Sequence, residues 1–534
     1  MSDDDTKPAS KSEAVQTWLD KIERARTSTA MARWAKRCEK IRQKYMYESS
    51  ASTKTRHYQM LWSNMETMKP AVYSKCPKAA VIRRYNDPDP TARVASTLLE
   101  RCVDFTLDAS EFDSAFKQVR DDYLLYARGT ARVYYEPVME TVDSEEDGLD
   151  GSDVEGPQAE VQRMGQEADE GAGPQEILKF ENVKIRYVQR ADLVHEPART
   201  WDEVNWLAFR SFLDRDALKE RFGDEIAKDI PLDARPDNAD SEPRSNAVGT
   251  IDQKATIWEI WDRTERRVLW IAQGHTEVLE EGLPYLSFEG FYPCPKPAYG
   301  TLSNDSLEPV PDYTYYQDQV EEIDTLTARI AHLTESLKLV GFYPAGPDGE
   351  GQPSIEQAVR PGLENKMIAV KSWAAFKEGG GGGAPVVFLP VDQVIKVLEG
   401  CVKVRQQLIE DVYQIYGLSD IMRGDGNANE TATAQNIKAQ FGSVRIRSRQ
   451  QELARFCRDI CRLVAEIVCT QFQPETIMAM ANMPLKTRAQ VEQEQMQAQM
   501  QALQMQAAQA QQQQMGHNGG PPMLGGPPQP GMAA

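Results

Sequence analysis

Apolar residues recur at helical spacing from Val15 to Tyr47, where Trp18, Ile22, Ala30, Trp34 and Ile41 stand among basic side chains, and the pattern predicts one amphipathic helix. A second helix is expected over Tyr58–Tyr73. The Cys76–Pro77 step marks its end, and a short strand at Val81–Tyr85 precedes the turn Asn86–Pro90. Thr91–Ala109 and Phe112–Tyr126 read as helices again. The second presents Phe112, Phe116, Val119, Tyr123 and Tyr126 on one face and is expected to end at Gly129. The period then changes to two. Ala131–Pro137, Lys179–Asp192, Trp201–Phe212 and Ala255–Ile271 read as strands, the last as a hairpin turning at Arg263–Arg266. Tryptophans in these alternating strands read as core, not as a base-stacking platform.

After residue 311 the pattern becomes simpler. Asp312–Lys338 forms one uninterrupted helical segment carrying Val320, Ile323, Leu326, Ile330, Leu333 and Leu337, a rod of roughly 40 Å at about 1.5 Å per residue. Glycines and prolines follow from Gly341 to Pro353, then strand-like pieces at Lys366–Val370 and Val386–Leu389 and the run Gly379–Gly383. A second rod, Val391–Tyr416, carries Val394, Ile395, Leu398, Val402, Leu408, Val412 and Ile415. Two rods of matching length flanking a compact excursion predict an antiparallel stalk with a tip.

The polar stretch Tyr416–Gln435 follows the stalk. Asn427 with Glu430 three residues later has capping-box form, which starts a long helix carrying Ile437, Phe441, Val444, Leu453, Phe456, Ile460, Leu463 and Ile467. Arg445, Arg447, Arg449, Arg455, Arg458 and Arg462 stud it. They either meet DNA or pair with Glu452, Asp459 and Glu466, and the helical spacing of those acids favours ion pairs. Ala489–Gln514 places Met496, Met500, Leu503 and Ala507 on a thin seam, leaving open a bundled helix or a low-complexity tail.

Composition narrows the function. The 534 residues are 41% hydrophobic and 27% charged, enough to bury sizeable cores, and the net charge is −20. Such acidity argues against tight wrapping of DNA or adhesion to anionic membranes. Thirteen acids face one Arg, Arg163, between Glu140 and Glu176, which reads as a solvated insertion between two strands. No apolar run is long enough to span a bilayer, and the polar, acidic Met1–Asp20 predicts no secretory signal. No phosphate loop is present, Asp425, Asn427 and Asn429 fail the calcium-loop pattern at its sixth and twelfth positions, and the five histidines are scattered. Cys457, Cys461 and Cys469 read as reduced, packed thiols. No catalytic residue, cofactor or metal site is therefore expected.

Trp62–Pro70 with Tyr73 and Pro77, Asp121–Tyr135, and above all Leu418–Gln435 followed by Phe441–Arg445, together with the rod, tip, rod, loop and helix order, resemble portal (head-to-tail connector) proteins of tailed bacteriophages, most closely those of short-tailed phages. The resemblance covers roughly Val15–Phe472, and the long acidic insertion departs from the family pattern. It implies an α+β portal fold in a ring, usually a homododecamer, at one capsid vertex of the virion, assembled in the host bacterial cytoplasm.

On that reading the segments are a disordered 1–14, a wing over 15–311 with the flexible insertion 140–176, a stem of 312–339 and 391–417, and a clip of 340–390. A tunnel loop of 418–430, a channel helix and crown of 431–483, a Gln-rich barrel candidate of 484–514 and a disordered 515–534 complete it. Candidate tunnel residues are Ser419, Asp420, Met422, Arg423, Gly424, Asp425, Asn427, Asn429 and Glu430; candidate channel-helix cations are Lys438, Arg445 and Arg449. The candidate clip docking surface is Tyr343, Trp373, Phe376 and Phe388. Implied partners are further copies of the chain, double-stranded DNA passing without sequence specificity during packaging and ejection, the terminase large subunit, head-to-tail adaptor or tail proteins, and the major capsid and scaffolding proteins, with no membrane. A non-viral helical stalk scaffold without a DNA channel is the competing expectation.

Overall fold

A computed structural model describes residues 11–47, 57–85, 89–142, 175–234, 253–337, 341–344, 367–370, 387–388, 391–418 and 432–484, with positions 493, 496–497, 499–501 and 505. The chain divides into two units, Met1–Phe472 and Gln473–Ala534. In the second, a short helix spans Pro474–Ala481 and ends at Asn482 in the left-handed conformation.

The first unit has an α+β fold. The expected first helix is two helices, α1 (Lys11–Thr27) and α2 (Thr29–Tyr45). Ser28 breaks it because its backbone is extended (ψ 143°) and its hydroxyl donates to the Ala25 carbonyl at 2.9 Å. Helix α3 (Met60–Val72) follows. Helix α4 (Pro90–Ala109) starts with Pro90 in its first turn and an Asp89 carboxylate accepting the Thr91 N–H at 2.9 Å. Between them Val81–Tyr85 forms no sheet strand, correcting the expectation: the N–H groups of Ala79 and Val81 donate to the carboxylates of Asp104 and Glu100 on α4.

Helix α5 (Phe112–Tyr126) has the expected bounds and buries its aromatic face. It ends at Ala127 (φ 60°), not at Gly129. Gly129 instead lies in strand β1 (Arg128–Val142), where a Cβ would stand 2.2 Å from the Val119 carbonyl oxygen. Strand β1 pairs antiparallel with β2 (Gln175–Val188) out to Val142↔Gln175, so the ladder extends into the expected insertion. Residues 143–174 lie outside the described residues.

A five-stranded antiparallel sheet runs β3 (Leu193–His195), β4 (Trp206–Leu213), β5 (Ala255–Asp262), β6 (Arg267–Ala272) and β7 (Val278–Gly282). Its β5–β6 hairpin closes at Asp262↔Arg267, as the sequence predicts. Strand alternation sends Trp206, Ala208, Trp258, Ile260, Leu269 and Ile271 to one face, where Val15, Trp18, Ile22 and Ala25 of α1 cover them. The opposite face buries Leu207, Phe209, Ile257, Trp261 and Trp270 against Leu218 and Ala227 of two short helices, Arg215–Phe222 and Asp224–Asp229, against Ile230 just beyond them, and against Phe291 and Tyr292. All four strand tryptophans are core, which is why the alternation was so legible.

Arg132 of β1 ties the first ladder to this sheet. It donates to Glu259 on β5 and at 2.8 Å to the Tyr285 hydroxyl, and stacks on Tyr134 and Phe209. Burial alone would lower the guanidinium pKa, but Glu259 holds it above the ordinary value. Among the described residues no helix is long and apolar enough to cross a membrane.

Candidate functional site at the stalk base

The first rod begins with a 3-10 turn, Asp312–Tyr315, and continues as helix α6 (Gln317–Ser336). The single helix expected from Asp312 is thus interrupted at Tyr316, whose φ of −132° is not helical. The second rod, α7 (Val391–Tyr416), has the expected bounds and packs along α6. Their rings Tyr316 and Tyr416 meet at 5.4 Å, so the start of one rod lies at the end of the other and the pair is antiparallel. Between the rods, β8 (Gly341–Pro344) pairs parallel with β9 (Met367–Val370) and antiparallel with β10 (Val387–Phe388). Tyr343 and Phe388 occupy these strands, whereas Trp373 and Phe376 lie outside the described residues.

The seam between the rods is buried at Val320, Ile323, Ile409, Val412, Tyr413 and Tyr416. Helix α7 carries more apolar surface than α6 covers. At about 100° per residue Ile395 falls in line with Tyr413, five turns away, and Val402 within about 20° of Ile409, so both continue the seam, whereas Val397, Val404 and Ile415 share a face about 120° from its centre. All five are 38–49% exposed. Val397, Val404 and Ile415 thus form an apolar stripe on a side of α7 away from the seam.

Two polar joints fasten the stalk to the body. The Asp324 carboxylate of α6, itself buried, contacts the Lys44 ammonium, lies 3.1 Å from His57 Nδ1 and accepts the Tyr58 N–H at 2.7 Å. The second joint gathers around α8 (Ala432–Thr470), the long helix after the stalk. Arg449 pairs with Asp312 and lies over the Tyr416 ring at 4.9 Å. Burial pulls this guanidinium down, yet Asp312 and Tyr416 hold it above its ordinary value, so it stays charged. One turn earlier, Arg445 Nη1 donates to the carbonyls of Ile415 (2.9 Å) and Gln414 (3.3 Å), satisfying acceptors that the end of α7 leaves open. Gly417 (φ +84°) sits beneath it, where a Cβ would meet Arg445 Cδ at 2.6 Å. Gln450 donates to the Ala71 carbonyl at 2.8 Å, bringing in the end of α3.

The sequence-derived site residues divide accordingly. Arg445 and Arg449 are brought together, inside the subunit, as braces of the stalk end. Lys438 lies on α8, and nothing is described of its side chain. Ser419, Asp420, Met422, Arg423, Gly424, Asp425, Asn427, Asn429 and Glu430 lie outside the described residues. Leu418 and Ala432, which bound them, are the last and first described positions on either side. Further along α8, Arg455 pairs with Glu452 and Asp459 at 2.7 and 2.8 Å, the ion pairing that its spacing favoured. Sequence reading missed Asp312, Asp324 and Gln450 as joint residues; the only signal was an acid at the start and one inside an otherwise apolar-seamed rod. Among the described residues no group of His, Cys, Asp and Glu is arranged to hold a metal ion. Cys457 is buried, Cys461 half-buried and Cys469 exposed, all as free thiols.

No protein-family model matches the chain, and no curated protein matches it.

Proposed function

We propose that this chain is the subunit of a phage portal, a ring at a unique capsid vertex through which double-stranded DNA is packaged and later ejected. The observation that carries the reading is the exposed apolar stripe of Val397, Val404 and Ile415 on α7, away from its seam with α6. In a ring this stripe packs against a different surface of the neighbouring copy, a head-to-tail contact that closes when the rotation permits. The antiparallel stalk, its small sheet and the polar segment rooted at its base supply the remaining support.

In this reading α6 and α7 form the stem, and 340–390 forms the clip that meets the terminase and then tail adaptors. Residues 419–430 face the channel, with Arg423 and Lys438 making transient phosphate contacts and Arg445 and Arg449 bracing the loop roots instead of touching DNA. A predominantly acidic ring leaves the duplex free to slide because it repels phosphates. The chemistry asked of the protein is passage, without catalysis.

Mass measurement and negative-stain imaging of the purified chain test the ring. Val397→Glu with Val404→Glu charges the stripe and should abolish rings while leaving the circular-dichroism spectrum unchanged. A wild-type chain that stays monomeric or dimeric would support a stalk scaffold and sink the portal reading. Deleting Gly424–Asn429 should leave rings intact and impair DNA packaging.

A further inference from the structure

The segment from Cys76 to Arg83 is a strand without a sheet. Its residues alternate in exposure: Lys78, Ala80 and Ile82 are exposed, whereas Ala79, Val81 and Arg83 are half-buried. On the covered edge the Ala79 N–H donates to Asp104 at 2.8 Å and the Val81 N–H to Glu100 at 2.9 Å. Those carboxylates are four residues apart on α4, about 6 Å along a helix, and two residues of extended chain span about 6.6 Å. The match explains the pairing: the segment lies extended and antiparallel to α4, with helix carboxylates standing in for the carbonyls of a neighbouring strand.

In an extended chain the backbone groups of alternate residues point to opposite edges. The groups of Lys78, Ala80 and Ile82 therefore form the other edge, and they have no hydrogen-bond partner among the described residues. Beside this edge stand Ile82, 86% exposed, and Tyr85, 72% exposed. Lys75, Lys78 and Arg84 are also exposed there. On a chain of net charge −20 this is a locally basic strip, and Glu100 and Asp104 on its covered edge are already turned onto backbone N–H groups. Open edges normally invite any strand, but edge cations reject basic ones and select acidic ones. Exposed Ile82 and Tyr85 call for apolar side chains, which a nucleic-acid backbone lacks.

We propose that the edge formed by Lys78, Ala80 and Ile82 is a docking site for an extended acidic segment of a partner protein, added as a strand by backbone hydrogen bonding. The edge belongs to the body and is distinct from the stalk.

The test uses the full chain and a labelled ten-residue peptide alternating glutamate and valine, read by fluorescence anisotropy, with its lysine–valine counterpart and a short DNA duplex as comparisons. The acidic peptide should bind with a Kd on the order of 10–100 μM, and the lysine peptide and the duplex at least about tenfold more weakly. Ala80→Pro removes an outward N–H while leaving those of Ala79 and Val81 on their carboxylates, and should weaken binding at least about tenfold. Lys78→Glu with Arg84→Glu should do the same. Hydrogen exchange on the unmodified protein gives an independent readout: amides of residues 78–84 should exchange fast alone and slow when the peptide is added. No peptide binding at about 1 mM, binding indifferent to Ala80→Pro, or tighter binding of the duplex would each overturn the proposal. Exchange already slow at Ala80 and Ile82 without peptide would assign the edge to a second copy and overturn it equally.

Discussion

Arg449 and Asp312 form an ion pair across 137 residues of sequence, closing the stalk excursion onto the helix that follows it. Both side chains are largely withdrawn from water, so removing either strands the other. Arg449→Met should lower unfolding stability by about 3 kcal/mol. Arg449→Met with Asp312→Leu should cost less than the single change, because no uncompensated charge remains. Denaturant titrations of the three variants provide the check.

Gly417 should resist substitution for two separable reasons. Its left-handed backbone penalises any Cβ, and that Cβ would meet Arg445. Gly417→Ala should destabilise by about 1–2 kcal/mol. Adding Arg445→Ala removes the clash but not the backbone term, so a double-mutant cycle on melting should show positive coupling of about 0.5–1 kcal/mol.

Arg132→Met should be among the costliest changes in the body, about 3–5 kcal/mol, because it leaves Glu259 without its cation between the first ladder and the five-stranded sheet. Glu259→Gln, which keeps an acceptor for the guanidinium, should cost less. Thermal denaturation ranks the two.

His195 is buried, and burial, aided by the positive charge of Arg128, lowers its pKa to about 4. The folded chain therefore binds fewer protons here than the unfolded chain between that value and about 6.5, so stability is full above this window and falls as pH drops through it. From pH 7 to pH 5 the loss should be about 2 kcal/mol. His195→Gln should abolish this share of the acid sensitivity, seen as a smaller shift in denaturation midpoint between the two pH values.

Periodicity made whole elements legible. Phe112–Tyr126 and Val391–Tyr416 have the bounds their apolar spacing gave, and the Asp262–Arg267 hairpin follows from alternation around a charged turn. What escaped was decided by single residues or by distant ones. Ser28 breaks a helix with one extended backbone step, and Ala127 takes the left-handed turn that Gly129 was expected to make because Gly129 is needed beneath the Val119 carbonyl. Val81–Tyr85 has strand character but loses its covered edge to carboxylates that lie about twenty residues away. Of the candidate site, the arginines of the long helix were visible, while their partners Asp312 and Ile415 were not, since no local repeat connects residues so far apart.

The attachments of α8 lie in file along its length. Arg445 holds the end of α7, Arg449 the start of the stalk, Gln450 the end of α3, Glu452 the Tyr299 N–H, Arg455 the carbonyls of Lys296 and Pro297, and Glu466 the Glu289 N–H. A load applied along the helix axis is shared by all of them at once. Among the described side chains, a load that lifts its amino-terminal end meets them one after another, beginning at Arg445. The helix is thus strong in shear and weak in peel, and the weak end is the one next to residues 419–431.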